Sequence, residues 1–310
     1  MILFDYAAQP YTIGGLDKLI CSEMEWANIV AQTSGKSTPE LTTQGTLSIK
    51  SVYGGEESYI VGREKHRLKD GRVLVINCGE EYRSKTESAG NVESFCLFFH
   101  PKFVSEGLRA QISPTDHLLD NPFSEFDQPL HFLNAIQGSG SPLSSQINRI
   151  RNRLQREGRD RVSGETLHEE FHLLLECLLY SHRDVLNKIK QLETVRIGTR
   201  LELYRRIEWG REFIEDNLSS QLQLSDIAMA ACLSPHYLLR LFRQIYKETP
   251  HQYLTRRRIE RACELLATTS TSIRAICFDV GFESPSTFSL LFRKYRGVSP
   301  RAYRQSLQQS

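Results

Sequence analysis

Residues 272–304 read SIRAICFDVGFESPSTFSLLFRKYRGVSPRAYR, a short helix, a glycine turn, a second helix and a stop. The first helix runs from Ile273 to Asp279. Gly281 supplies a left-handed turn that a Cβ would penalise, and Ser284 before Pro285 is an N-cap ahead of a proline suited to the first helical position. Beyond it, Phe288, Leu291, Phe292 and Tyr295 recur at i, i+3, i+4 and i+7, the spacing of one buried face. The opposite face carries Ser286, Thr287, Ser289, Leu290 and Arg293. Such a helix-turn-helix can lay that face in the major groove of DNA.

The unit occurs a second time upstream, as LSDIAMAACLSPHYLLRLFRQIYKETPHQYL at residues 224–254. Past the turns the register is 50 residues, pairing Ser234 with Ser284, Pro235 with Pro285, Phe242 with Phe292, Arg243 with Arg293 and Tyr253 with Tyr303; before the turns it is 49. Repetition at a fixed period is harder to reach by chance than a single motif. Cys232 takes the place of Gly281, so the first turn carries a Cβ under slight strain. Between the two units Pro250–Ala267 reads as a joining helix capped by Thr249, around which Arg256, Arg257, Arg258 and Arg261 wrap; some of these pair with Glu260 or Glu264, and Arg257 is assigned to DNA phosphate.

Two helix-turn-helices about 50 residues apart, with the VGF turn, the FRKYRG helix end and the SPRAYR close in order, resemble the AraC/XylS family of bacterial transcription regulators over residues 206–308. The resemblance implies a seven-helix DNA-binding domain in which one long helix sets both recognition helices into successive major grooves. Carried onto this chain, it gives His236, Leu239, Arg240, Ser286, Thr287 and Leu290 as base-facing positions, with Arg243 and Arg293 on the backbone. Arg240 is the strongest of these, because its planar fork can donate two bonds to guanine. The second recognition helix has no Arg, Asn or Gln at its base-facing positions and should discriminate less.

Charge follows the same division. Lys and Arg outnumber Asp and Glu 17 to 11 in residues 199–310, whereas residues 1–140 hold 12 against 18. A basic C-terminal third beside an acidic N-terminal part points to phosphate contact by the former alone. No run approaches a membrane span, MILFDYAAQPYTI lacks a basic flank, and seven cysteines without a C-x-x-C suit a reducing compartment, so the expectation is a cytoplasmic protein.

From residue 41 to 103 short apolar runs (TLSIKSVY, SYIV, RVLVINC, VESFCLFF) alternate with glycines at 54–55, 62, 71 and 79, the pattern of a β-barrel or sandwich. This region resembles, more loosely, the cupin-like sensor domain common in the family, which implies a small-molecule effector held inside the barrel. The fold class is therefore α+β with two domains, a cupin-like barrel and an all-α double helix-turn-helix. The divisions are 1–140 for sensing, 141–190 for a helical packing or dimerisation region, 191–203 for a linker and 204–310 for DNA binding, with helix-turn-helices at 224–246 and 272–296. Leu143, Ile147, Ile150 and Leu154, then Leu167, Phe171, Leu174, Leu175 and Leu178, form two amphipathic stripes that either pack on the barrel or meet a second subunit. The arginines at 149, 151, 153, 156, 159 and 161 keep no single helical face and read as a solvated surface.

An enzyme fused to the DNA-binding domain is the competing class. A metal cupin or a zinc repair module needs clustered His, Glu or Cys. This chain has no His-x-His; His66 reads as a surface and His100 as a strand-end histidine, and Cys21, Cys78 and Cys96 are far apart in sequence. Cys78 and Cys96 lie on neighbouring strand candidates, as buried thiols or as a thiol sensor. Neither a metal nor a cofactor is expected. Partners are double-stranded DNA, a small effector, a second copy of the chain and, for an activator, RNA polymerase; effector-free regulation stays open.

Overall fold

The structure is a computed structural model describing residues 2–5, 28–37, 41–112, 131–134, 136–138, 140–158, 161–192 and 196–308. The chain divides into two compact units, Met1–Asp184 and Val185–Ser310. Cys21 and Arg159 fall outside the described residues.

The first unit is built on one long strand. Strands β1 (Ile2–Asp5), β2 (Ile29–Ser37), β3 (Leu41–Gln44), β4 (Ser48–Tyr53), β5 (Glu56–Val61), β6 (Glu64–Lys69) and β7 (Val73–Ile76) precede β8 (Glu81–Phe98). The second half of β8 pairs with β2 and β4 in a sheet ordered β1-β2-β8-β4-β7, and its first half pairs with β3 and β5 in another that β6 extends. Gly54, Gly62, Gly71 and Gly79 all take positive φ in the connecting turns. Strand β2, rich in small and polar residues, carries no strong sequence signal, yet it is the strand against which β8 lies longest.

Helix α1 (Pro101–Ile112) leaves the sheet, followed by α2 (Pro142–Glu157) and α3 (Gly164–Lys190). Ser141 caps α2 by accepting the Ser144 N–H at 3.1 Å, and Pro142 occupies its first turn. Both apolar stripes enter one core with the sheet: Leu143, Ile147, Ile150, Leu167, Phe171 and Leu174 are buried beside Val30, Ile49, Phe95 and Leu97. The packing reading is the one these stripes follow within the unit, while Leu173, Tyr180 and Leu186 of α3 remain exposed. The solvated reading of the arginines fails in part. Arg151 forks onto Glu93 at 2.7 and 2.6 Å and stacks over Tyr53 at 3.9 Å, and Arg153 reaches the buried Glu170 at 2.8 Å.

Three histidine and cysteine expectations also meet the coordinates. His66 is buried, because Glu64, His66 and Leu68 share the inner face of β6 while Lys65, Arg67 and Lys69 take the outer one. His100 lies two residues past the end of β8, and its Nδ1 accepts the Lys102 N–H at the start of α1. Cys78 sits exposed in the turn after β7, and β4 lies between β7 and Cys96 on β8, so the two thiols do not share adjacent strands.

The second unit is helical. Helix α4 (Ile197–Asp216) takes in most of the stretch expected as a linker, and the division between units falls inside α3. There follow α5 (Leu224–Ala230), α6 (Pro235–Tyr246), α7 (Pro250–Thr268), α8 (Ile273–Asp279), α9 (Pro285–Arg296) and α10 (Pro300–Gln308). Thr249 opens α7 with a capping box shared with Gln252. Ser284 accepts the Thr287 N–H at 3.5 Å, while Ser234 occupies the equivalent cap without a side-chain bond.

The two turns differ in what surrounds them. Cys232 adopts φ 51° in the first. Gly281 adopts φ 91°, and a Cβ there would stand 2.6 Å from the Leu218 carbonyl oxygen and 2.9 Å from Ser219 Cα. Gly281→Ala should therefore cost about 2–4 kcal/mol, combining left-handed strain with a clash against backbone, whereas Cys232→Gly should stay within about 1 kcal/mol of wild type. Urea unfolding followed by Trp209 fluorescence in a Trp26→Phe background measures both; equal losses would show that crowding at Gly281 is not the controlling factor.

Candidate nucleic-acid interface

Helix α6 turns Leu238, Leu241, Phe242 and Ile245 into the core. That leaves His236, Arg240 and Arg243 exposed and Leu239 half-buried on the other side. The Arg240 guanidinium lies 5.1 Å from the ring centroid of Tyr237, three residues earlier on the same helix, a cation–π contact. The last turn of α6 is gripped by the end of α3: Lys247 Nζ donates to Gln191 Oε1 at 2.6 Å, and Lys188 lies over the Tyr246 ring.

Helix α9 repeats the arrangement with a thinner core. Phe288 and Phe292 are buried, and Ser286, Thr287, Ser289, Leu290 and Arg293 are exposed, Leu290 at 72%. Tyr295, expected inside, is 37% exposed, while its counterpart Ile245 is buried. Each helix has three helical neighbours, α4, α5 and α7 for α6 and α7, α8 and α10 for α9.

The arginines of α7 divide by partner. Arg256 bonds Glu248 and Glu260, Arg261 bonds Glu264 at 2.7 Å, and Arg258 donates to the backbone oxygens of Leu218 and Ser220. Arg257, assigned to phosphate from the sequence, donates to Glu215 at 2.7 Å and also to Glu260, so its charge is committed within the protein. The signal that could have reassigned it is Glu215, which lies 42 residues away and shows no local pairing in the sequence. Tyr253 donates to the same carboxylate at 2.6 Å. Burial alone would raise the Glu215 pKa, but the bonds from Arg257 and Tyr253 prevail and hold it below the ordinary carboxylate value.

The acidic first unit is not uniformly acidic. Lys65, Arg67, Arg83 and Lys85 line a groove of about 330 Å³ with Glu56 and Ser58 on the outer face of the β5–β6–β8 sheet.

The family profile described as a helix-turn-helix domain matches residues 227–306. Over most of its length the chain is also similar to the melibiose operon regulatory protein of Escherichia coli (strain K12), 37% identical over 271 residues that cover 86% of this chain and 83% of that one. The chain belongs to the AraC/XylS family of bacterial transcription regulators. The raffinose operon transcriptional regulatory protein RafR of Pediococcus pentosaceus is 34% identical over 95 residues, 31% of this chain and 34% of its own. Among solved structures, the C-terminal domain of AraT, a response regulator from Geobacillus stearothermophilus, matches 33% of this chain and 84% of its own at 34% identity and a TM-score of 0.32. The AraC-type unit thus presents two outward helix faces, α6 and α9, on a shared α7. Among the described residues no helix is long and apolar enough to cross a membrane, and no group of three or more His, Cys, Asp and Glu gathers around a metal position.

Arg257→Ala should lower the stability of the second unit by about 1–3 kcal/mol, because it strands the Glu215 carboxylate. The salt slope of DNA binding should stay unchanged. Since the folded Glu215 pKa lies below its ordinary value, the carboxylate stabilises fully above pH 4.5 and loses that contribution as pH falls through the folded pKa. Acid unfolding of the variant should therefore be shallower on this limb. A salt slope reduced by one ion would return Arg257 to the phosphate contacts.

Proposed function

We propose that the AraC-type unit reads DNA unequally, with α6 supplying base recognition and α9 supplying phosphate contact and fit to DNA shape. The observation that carries this is the chemistry of the outward faces. Arg240 and His236 on α6 offer directional hydrogen bonds, Leu239 offers a surface for a thymine methyl, and α9 offers the short hydroxyls of Ser286 and Thr287 with Leu290. Arg243 and Arg293 occupy the same place in the two repeats and serve as phosphate ligands. The consensus should hold one sharply preferred cluster containing a guanine and, about 10 base pairs on, a tolerant stretch.

Arg240→Ala should weaken the best site by about 1–3 kcal/mol, roughly 5- to 150-fold, with far less effect on random DNA. Arg293→Ala should weaken both alike. Gel-shift titrations on selected and random duplexes separate the two; equal losses for Arg240→Ala would remove it from base reading.

The first unit is the seat of effector control in this reading. Lys50, Glu57, Tyr59, Tyr82 and Cys96 gather between the two sheets, offering a cation, a carboxylate, hydroxyls and aromatic faces. Two relatives carry the names of sugar operons, melibiose and raffinose, and that interior suits a molecule of hydroxyls and apolar ring faces. The protein is a cytoplasmic regulator without catalytic activity that binds promoter DNA as a homodimer, engaging RNA polymerase when it activates. Its second copy is met by surfaces other than the buried stripes of α2 and α3. Calorimetry with melibiose and with raffinose should give saturable heat for one of them, abolished in Lys50→Met. No heat from either sugar would leave the operon names without a ligand here. Binding that survives in Lys50→Met would move the site elsewhere.

A further inference from the structure

Helix α3 carries His168 and His172 one turn apart on its exposed side, with their Nε2 atoms 3.1 Å apart and the rings at 86°. Phe103 of α1 packs against both, 4.6 Å from the His172 ring centre and 5.5 Å from that of His168. The rings are thus supported from one side and open to solvent on the other. At this separation one neutral ring donates its N–H to the other's lone pair, and charging both would place two cations in contact.

We propose that His168 and His172 form a two-imidazole chelate for one late first-row divalent ion, Zn²⁺, Ni²⁺ or Cu²⁺. With metal–nitrogen distances of about 2.0–2.1 Å, nitrogens 3.1 Å apart subtend an angle of about 100° at a shared ion, between square and tetrahedral. Reaching that geometry takes a swing of both rings about χ2, a torsion with a broad well. The donor ring's proton moves from Nε2 to its own Nδ1 as the ion takes its place, so both neutral rings end protonated on Nδ1 and none is released overall. Imidazole nitrogen selects these ions over Mg²⁺ and Ca²⁺, which take oxygen. Glu165, Glu169 and Glu176 are exposed on the same helix and lower the cost of bringing a dication to it. Among the described residues no third side chain completes a cluster, so water fills the remaining positions and binding is reversible. The ion clips one turn of α3 and stabilises the fold in proportion to its occupancy. This site is independent of DNA reading and of the interior cluster around Lys50.

The test uses the full chain without a polyhistidine tag, stripped with chelator and dialysed against each ion alone. One equivalent should bind, the Tm should rise, and the Cu²⁺ form should show electron paramagnetic resonance splitting from two nitrogens. His168→Gln and His172→Gln should each weaken binding by at least about tenfold and the double variant should abolish it. Both side chains are exposed, and circular dichroism confirms that the variants fold. No binding up to about 1 mM free ion, or equal binding by wild type and double variant, overturns the proposal.

Discussion

The two helix-turn-helices are joined through a cation whose hydrogen bonds go to backbone oxygen. Arg258 donates from Nε to Leu218 O at 2.7 Å and from Nη2 to Ser220 O at 2.6 Å, and its guanidinium lies 5.6 Å from the Phe282 ring centre. Those carbonyls lie in the link between α4 and α5 that leads into the first helix-turn-helix, while Phe282 and Gly281 belong to the turn of the second. Gln221 closes the arrangement by donating to Gly281 O at 3.1 Å. A lysine could satisfy one carbonyl but not two in a fixed fork, and a Cβ at position 281 would stand 2.6 Å from Leu218 O and 2.9 Å from Arg258 Nη2. The contact thus ties α7 to the α4–α5 link and to the turn of the second helix-turn-helix.

On either side of that joint both repeats hold an aromatic cluster, Phe242, Tyr246 and Tyr253 in the first, and the first adds hydrogen-bonded ion pairs. In the first, Tyr246 donates to Glu208, which pairs with Arg211 at 2.7 Å, and Tyr253 donates to Glu215, which pairs with Arg257. Burial and the adjoining carboxylate push the Tyr246 phenol well above its ordinary pKa, so it stays a donor. In the second, Phe282, Phe288, Phe292 and Tyr303 stack in sequence at 5.3, 5.7 and 5.6 Å. Hydrogen-bonded ion pairs fix orientation, whereas aromatic packing tolerates small rotations. The helix with the directional donors is therefore braced by directional bonds, and the helix with short hydroxyls rests on apolar contact.

The DNA-binding unit was legible because its determinants are local. Gly281, Ser284 with Pro285, Thr249 with Gln252 and the i, i+3, i+4 stripe of Leu238, Leu241 and Phe242 all act within a few residues of one another. What escaped was set by distant partners: Arg257 by Glu215 and Arg151 by Glu93. In the first unit the apolar runs gave β4, β5, β7 and the second half of β8. Strand β2 and the inward face of β6 were hidden, since Gln32, Ser34 and His66 owe their places to pairing with β8 and β5 rather than to hydrophobic alternation. The pair His168 and His172 was readable at its spacing, but its meaning depends on Phe103 and on an Nε2 separation that no periodicity contains.

The interior of the first unit shows what such a fold gives up in stability. Lys50 is 1% exposed, its Nζ 3.0 Å from Tyr82 Oη and 3.9 Å from the centre of the Phe98 ring. Burial would strip the proton from this amine, yet Tyr82, Cys96 and Glu57 together hold its pKa above the ordinary value. A hydrophobic residue of similar volume would fill the same space without desolvating a charge, and replacements of that kind are often neutral or stabilising. Glu57 makes the same point from the opposite sheet, its carboxylate pushed upward by burial while Ser94 donates to it at 2.6 Å. An acid and a base facing one another across a β-sheet interior form a poor core and a good set of anchors, which is why effector control is assigned to this end of the chain.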